Sequence, residues 1–156
     1  MAKKILLAID DSENAMRAVE FVANSFTGDN KITLFNVVQD TATMCEMNSP
    51  ELTPYFASQQ SSFCLLEEKK KELVTKALQE SKTILLDAGF EEKNITIKAE
   101  LKKNGIARDI IKESQSDYNI IVMGKRGVSG IKDFLLGSIS QKVFNLAKDI
   151  SVLFVN

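Results

Sequence analysis

Runs of apolar residues along the chain predict the strands. Ile5–Ile9 and Ile120–Met123 are apolar at every position, which is typical of parallel strands covered by helices on both faces. Ile32–Val38 predicts a further strand. Ile95–Leu101 alternates apolar with polar residues, so this strand should have one wet face and lie at a sheet edge. Val152–Val155 predicts the last of five strands.

Between these runs, apolar residues recur at helical spacing. The predicted helices follow Ser12, span Leu65–Ala88, follow Gly105 and span Ser138–Lys148. Ser12 is expected to cap the first helix, and Gly28 and Gly89 are expected to stop the first and the second.

Residues 40–64 interrupt this rhythm with two prolines and many polar residues, and the stretch is longer than most connections in a compact domain. We therefore predict an inserted loop. Its apolar residues should pack over the neighbouring helix, with a partner surface as the alternative. These residues are Met44, Met47, Tyr55, Phe56 and Phe63. On the helix that follows, the residues expected to face inward are Leu66, Leu73, Ala77, Ile84, Leu85 and Ala88, and the charged run 67–72 should be solvated.

The alternation of strands and helices predicts a single domain over residues 1–156. Its fold class is α/β, a doubly wound, Rossmann-like domain with a five-stranded parallel sheet in the order 3-2-1-4-5 and helices on both faces. Open sheets of this kind bind ligands outside the carboxyl ends of their strands. Asp10, Val37 and the segment after Met123 should therefore meet at one edge of the sheet.

The composition excludes several classes of function. With 20 basic and 21 acidic residues, the chain has no overall charge to attract nucleic acid or an anionic membrane. The first apolar run is too short for a signal peptide or a membrane span, so a cytoplasmic location is expected. Cys45 and Cys64 are too few for a disulfide framework, so we expect reduced thiols. Histidine is absent, which removes the commonest general base.

A glycine-rich stretch follows the strand Ile120–Met123, with glycines at 124, 127, 130 and 137. Glycine lets an anion approach the main chain because it has no Cβ. Lys125 and Arg126 add positive charge, and Ser138 with Gln141 has the spacing of a capping box at a helix N-terminus. The pattern predicts a phosphate site, and an ordinary glycine-rich turn before a capped helix is the alternative.

The common nucleotide motifs are absent, since neither G-x-x-x-x-G-K-[ST] nor G-x-G-x-x-G occurs in the chain. Asp10-Asp11 is similar to the acidic pair of a two-component receiver domain. However, Leu101 leads to Lys102-Lys103-Asn104 with no phosphoacceptor aspartate, and no lysine follows the last strand. A PP-loop pyrophosphatase would need a glycine pair after the first strand. We reject both classes.

Gly124, Gly127 and Gly137-Ser138 are spaced as G-2x-G-9x-G-[ST], and this closely resembles the nucleotide motif of the universal stress protein family. The resemblance extends from the first strand to Ser140. It implies that Asp10 and Val37 contact the adenosine end of ATP and that Met123 and Gly124 line base and ribose. It implies that the phosphates are held by Gly127, Gly137, Ser138, Ile139 and Ser140. From charge alone we add Lys125 and Arg126 to the cofactor-binding residues.

The resemblance also implies a cytoplasmic, ATP-binding regulator of the stress response that forms a homodimer. Val152–Val155 lacks charge, proline or a bulge, so this edge strand is the expected dimer seam. Asp11 stands where many members have glycine, and its charge near the phosphates could call for Mg²⁺. No catalytic residue is assigned. A slow Mg-dependent ATP hydrolase and an interaction module with a vestigial nucleotide site remain the alternatives.

Overall fold

The computed structural model describes residues 1–45, 54–126 and 136–156. The strands are β1 (Lys4–Ala8), β2 (Lys31–Val38), β3 (Ile95–Leu101), β4 (Ile120–Gly124) and β5 (Ser151–Val155). The helices are α1 (Glu13–Ser25), α2 (Ala42–Cys45), α3 (Pro54–Asp87), α4 (Ile106–Ser114) and α5 (Ser138–Leu146). A 3₁₀ turn, Glu92–Asn94, precedes β3.

The five strands form one parallel sheet in the order β3-β2-β1-β4-β5, which confirms the predicted fold class. Side chains alternate between the two faces along each strand. Ile5 and Leu7 of β1 belong to the core beneath α1 and α3, whereas Leu6 belongs to the core beneath α4 and α5. Because both faces of β1 are buried, its unbroken apolar sequence is explained.

Two helix ends behave as their residues predict. The Ser12 Oγ accepts from the Ala15 N–H at 3.1 Å and caps α1. At the end of α3, Gly89 has a φ of +97°, and the N–H groups of Gly89 and Phe90 donate back to Leu86 and Leu85. This is a Schellman turn, which glycine favours because a Cβ would strain that backbone conformation.

The prediction that Gly28 stops α1 is wrong, because α1 already ends at Ser25. A Cβ on Gly28 would collide with the carbonyl oxygen of Gly89. Glycine is needed there because two chain segments pass very close to each other, a contact between residues far apart in the sequence.

The prediction of an inserted loop over residues 40–64 is also wrong where the structure describes that stretch. Thr41 is followed by α2, and α3 begins at Pro54, a residue well suited to the first turn of a helix. Tyr55 and Phe56 are 68% and 59% exposed, so they do not pack over a neighbouring helix. Met47 and the side chain of Met44 lie outside the described residues.

The inward face of α3 is predicted correctly only in its C-terminal half. Ala77 and Leu85 are buried and Ile84 is half-buried, although Ala88 is exposed just beyond the end of α3. Leu66 and Leu73 are 68% and 48% exposed. The reason is length. A helix of 34 residues measures about 51 Å, whereas a strand of eight residues spans about 27 Å, so the sheet and its flanking helices cannot cover the whole of α3.

The expectation of reduced thiols is wrong as well, since Cys45 and Cys64 form a disulfide. This bond ties the end of α2 to the N-terminal half of α3. The two cysteines lie 19 positions apart with no motif around them, and only the packing of α2 beside α3 brings them together. Among the described residues, no helix combines the length and the apolar content that crossing a membrane requires.

Candidate functional site

A cavity of about 840 Å³ opens at the carboxyl edge of the sheet. Its floor is formed by the ends of β1, β2 and β4, where Ile9, Val37 and Met123 lie, and one wall is the N-terminus of α5. The opposite wall is α3. This is the edge at which open parallel sheets bind their ligands.

Asp10 and Ser12 shape the turn from β1 into α1. One carboxylate oxygen of Asp10 accepts the Ser12 N–H at 2.9 Å and also the Ser12 hydroxyl. The same hydroxyl oxygen then caps α1. Asp10 therefore has a structural role in the turn, and it also lines the cavity.

Across the cavity, the two ends of the glycine-rich segment are held together. The Gly137 N–H donates to the Lys125 carbonyl at 2.9 Å, and the Ser140 hydroxyl donates to the Gly124 carbonyl at 3.0 Å. On the other side, the Asn14 side-chain amide donates to the Arg126 carbonyl at 3.0 Å. These bonds bring the start of α5 next to the end of β4.

Gly124 is required for packing. A Cβ there would lie 2.8 Å from the backbone and the Cβ of Asn14, so α1 could not approach β4 as closely as it does. Its φ is not in the left-handed region. The glycine thus lets α1 and β4 meet beside the cavity, a reason that the spacing of the glycines did not reveal.

The helix α5 begins differently from the prediction. Gly137 is the N-cap and Ser138 is the first helical residue, so the expected capping box of Ser138 and Gln141 is not formed. The first helical hydrogen bond runs from the Gln141 N–H to the Gly137 carbonyl at 2.9 Å. The N–H groups of Ser138, Ile139 and Ser140 therefore have no partner within the helix, and all three residues line the cavity.

Among the residues that the structure describes, two buried polar side-chain atoms at the cavity have no hydrogen-bond partner. They are Asp11 Oδ1 and Arg126 Nε, and both residues line the cavity. Burying such groups unpaired is costly. The guanidinium nitrogen needs an acceptor, and the carboxylate oxygen needs a donor or a cation.

Most of the residues predicted from the sequence meet at this cavity. Those that line it are Asp10, Val37, Met123, Gly124, Arg126, Gly137, Ser138, Ile139 and Ser140. Lys125 does not. Its N–H donates to the Val155 carbonyl at 2.7 Å, so its backbone joins β4 to β5 instead. Gly127 lies outside the described residues.

Sequence reasoning missed the wall formed by α3. Lys70 and Lys71, taken from the sequence as part of a solvated charge run, line the cavity with Glu67 and Val74, and Lys102 lines it from the end of β3. Cavity-lining positions of α3 follow helical spacing: 67, 70, 71, 74, 75 and 78. That spacing was visible in the sequence, but nothing in it indicated that this side of the helix faces a cavity.

Within residues 1–45, 54–126 and 136–156, no group of three or more histidine, cysteine, aspartate or glutamate side chains could hold a metal ion.

Comparison with known proteins assigns a family to this architecture. The model of the Universal stress protein family matches residues 1–156. A Universal stress protein of Mycolicibacterium smegmatis is 27% identical over 144 residues, which is 92% of this chain and 45% of the relative. The chain thus spans about half the length of that curated relative.

Solved structures share the fold over nearly their whole length. The hypothetical protein MJ0577 is 25% identical with a TM-score of 0.71, and 99% of this chain covers 96% of it. Universal stress protein UspA from Lactobacillus plantarum is 19% identical with a TM-score of 0.68, over 99% and 97% of the two chains. A universal stress protein in complex with cAMP is 16% identical with a TM-score of 0.64, again over 99% and 97%.

Proposed function

This chain belongs to the universal stress protein family, and we propose that it binds ATP in the cavity at the carboxyl edge of the sheet. The bound nucleotide would serve a cytoplasmic regulator of the stress response. The observation that carries the proposal is the convergence on one cavity of the N–H groups of Ser138 to Ser140, which have no partner within the helix, and Arg126 Nε, which has none among the described residues.

The chemistry of these groups fits a phosphate. A helix N-terminus offers unpaired N–H donors and a partial positive charge, and a buried arginine adds a charge-assisted donor. The apolar floor at Ile9, Val37 and Met123 fits the flat face of a purine. The relative solved in complex with cAMP holds an adenine nucleotide in its own version of this fold.

We propose the following roles for the site residues, as the family resemblance implies them. Asp10 and Val37 would contact the adenosine end, and Met123 and Gly124 the base and ribose. Gly137, Ser138, Ile139, Ser140 and Arg126 would hold the phosphates, together with Gly127. Lys125 would contribute charge without lining the cavity.

The proposal can be tested with Arg126→Gln, measured by calorimetry with ATP. Hydrogen bonds to charged groups contribute about 1.5–3 kcal/mol, so we expect the dissociation constant to rise at least tenfold. Arg108→Gln is the matched control, because Arg108 is exposed on α4 and does not line the cavity. Equal affinity in the two variants would contradict the proposed phosphate site.

Asp11 gives a specific reason to include Mg²⁺. Its unpaired Oδ1 would meet a cation carried by the phosphates, and the cation would offset the repulsion between the carboxylate and the phosphates. We expect Mg²⁺ to strengthen ATP binding to the unmodified chain. In Asp11→Asn, ATP should bind as well without Mg²⁺ as with it. A Mg²⁺ dependence that survives Asp11→Asn would place the cation elsewhere.

Binding, with at most slow turnover, is the function we favour. The chain has no histidine and no phosphate-loop lysine to clamp a γ-phosphate. An ATPase rate near the enzyme median of roughly 10 s⁻¹ that disappears in Asp10→Ala would instead identify a hydrolase.

We also propose a homodimer through β5. Val152, Leu153, Phe154 and Val155 are only half-buried, and the nearby Phe144 is 62% exposed. The rings of Phe144 and Phe154 are in contact at a tilt of 49° with their centroids 6.5 Å apart, so an apolar surface borders the outer edge of the sheet. A second copy related by a two-fold axis would cover both.

Light scattering tests this dimer. We expect Phe144→Glu to dissociate the β5 contact, because it introduces a charge into the apolar surface beside the edge. Leu86→Glu is the control, since Leu86 is 39% exposed on α3, a helix that packs at the other end of the sheet. If Phe144→Glu leaves the mass in solution unchanged, the β5 interface is wrong.

A further inference from the structure

The N-terminal half of α3 is not covered by the described part of its own chain. Every residue from 54 to 76 is exposed or half-buried, and the first buried residue of α3 is Ala77. From there to Leu85 the helix packs on the core. A helix of about 20 residues is rarely left without a packing partner, since most helical stability in proteins comes from tertiary packing.

Most of the large apolar residues of this half lie on one side of the helix, and Leu65 is the exception. Phe56, Phe63, Leu66 and Leu73 are separated by seven, three and seven positions, the spacing of a coiled-coil seam. Tyr55 borders them. These five residues, which we call the open stripe, are 36–68% exposed. Phe56 and Phe63 lead at steps of seven through Lys70 to Ala77 and Ile84, so this row of the stripe continues the face that packs on the core.

The open stripe is large enough to form an interface. Aromatic side chains offer roughly 150–250 Å² each, so the stripes of two copies together expose apolar surface on the order of 1,000 Å², the lower bound of specific interfaces.

We propose that the open stripe pairs with the open stripe of a second copy, as two antiparallel helices. In one register, residue i faces residue 129 − i of the second copy. Phe56 then meets Leu73, Phe63 meets Leu66, and the two polar seam positions, Gln59 and Lys70, meet each other. Each layer joins an a-type to a d-type position, so apolar residues face apolar ones throughout.

The charges favour the antiparallel arrangement. All charged residues of residues 54–73 lie in the run Glu67–Glu72, and 57–62 contains none. In the antiparallel register these two stretches face each other, so no like charges meet. A parallel pair in the same register would set Lys70 against Lys70 in the seam, where like charges repel.

The length of the paired segment also agrees with the length of the uncovered half of α3. The register joins 54–75 of one copy to 75–54 of the other, and it ends just before Ala77, where α3 enters its own core. The disulfide at Cys64 does not interfere, because Cys64 lies about 100° around the helix from Phe63 and 160° from Leu66. The second copy would run along α3 beside Lys70, at the rim of the nucleotide cavity.

The test compares two adjacent leucines, Leu66 and Leu65, which are equally exposed at 68% and point in directions about 100° apart. By light scattering at micromolar concentration, Leu66→Glu should halve the mass of the unmodified chain, and Leu65→Glu should leave it unchanged. Neither substitution should destabilise the dissociated chain, because neither side chain belongs to the core; melting temperatures are therefore compared at concentrations where the chain is monomeric.

The register has its own test. Phe63→Lys alone should also dissociate the pair, but combined with Leu66→Glu it should restore the assembly, because the two substituted positions face each other across the two-fold axis. An unmodified chain no larger than Leu66→Glu would overturn the proposal. So would a loss of stability in Leu66→Glu without a change in mass, which would mean that the chain itself covers the stripe.

Dissociation of the α3 pair can be distinguished from dissociation of the β5 dimer. If both interfaces form, Phe144→Glu and Leu66→Glu each leave a dimer and only the combined variant is a monomer. If β5 does not pair, Leu66→Glu alone gives the monomer, and Phe144→Glu changes nothing.

Discussion

The two halves of α3 belong to one continuous helix but have opposite surroundings. In the C-terminal half, Leu78 and Leu85 are 6% and 0% exposed against α1 and the sheet, whereas in the N-terminal half Phe56 and Leu66 are 59% and 68% exposed. Both halves carry an apolar stripe. An amphipathic pattern therefore shows which side of a helix is apolar, but not whether the same chain covers it.

Truncating one leucine in each half should give the largest contrast. Leu85→Ala removes a fully buried side chain and should lower the free energy of unfolding by about 2–5 kcal/mol, because it leaves a cavity in the core. Leu66→Ala should change it by no more than about 0.5 kcal/mol at concentrations where the chain is monomeric. Urea denaturation measures both. Similar losses would mean that both halves pack on the same core.

The disulfide is the covalent link between α2 and the N-terminal half, so removing it should affect that half first. Replacing Cys45 and Cys64 together by serine opens a loop of 19 positions and should cost up to about 3 kcal/mol in stability. Hydrogen exchange should quicken at 54–73 and stay slow at 77–87. Equal quickening in both halves would show that the disulfide stabilises the whole domain.

Removing the hydroxyl group from each of the two tyrosines should give the smallest difference in stability between a buried and an exposed region. Tyr118 OH donates to Glu113 Oε1 at 2.9 Å beneath α4, and Lys98 Nζ lies 2.8 Å from the other oxygen of that carboxylate. Tyr118→Phe should cost about 1 kcal/mol. Tyr55→Phe, in the exposed half of α3, should cost nothing measurable in the monomer. The comparison uses denaturation at neutral pH.

The cluster of Tyr118, Glu113 and Lys98 should make the free energy of unfolding fall at alkaline pH. Burial raises the pKa of Tyr118 above 10.0, and the hydrogen bond with Glu113 raises the pKa of Lys98 above 10.5. Because both pKa values are raised in the folded state, the stability they contribute is complete below the unfolded values and is lost as the pH rises through the folded ones. The loss of stability that Tyr118→Phe causes relative to the unmodified chain should therefore shrink above about pH 10. A deficit that is constant with pH would exclude the cluster as its cause.

The predictions made from the sequence agree best with the structure at the strands and at the cavity floor. The runs at β1 and β4 are buried on both faces, and such strands have only one apolar pattern available to them, so the fold class could be predicted. Asp10, Val37 and Gly137 to Ser140 were placed at one edge by the rule for strand ends, and they line one cavity. Lys70, Lys71 and Lys102 could not be placed, because a lysine on a helix has the same pattern whether it faces water or a cavity.

The sequence by itself determined which segments are strands, where each strand ends and which family the glycine spacing resembles. These features depend on neighbouring residues and on the period of the apolar pattern. The tertiary structure decided that Cys45 reaches Cys64 and that Gly28 and Gly124 are needed where two segments touch. It also decided that the described part of the chain leaves the N-terminal half of α3 uncovered. Each of these depends on the distance between parts of the chain that are far apart in sequence, and only the packing of the folded chain fixes that distance.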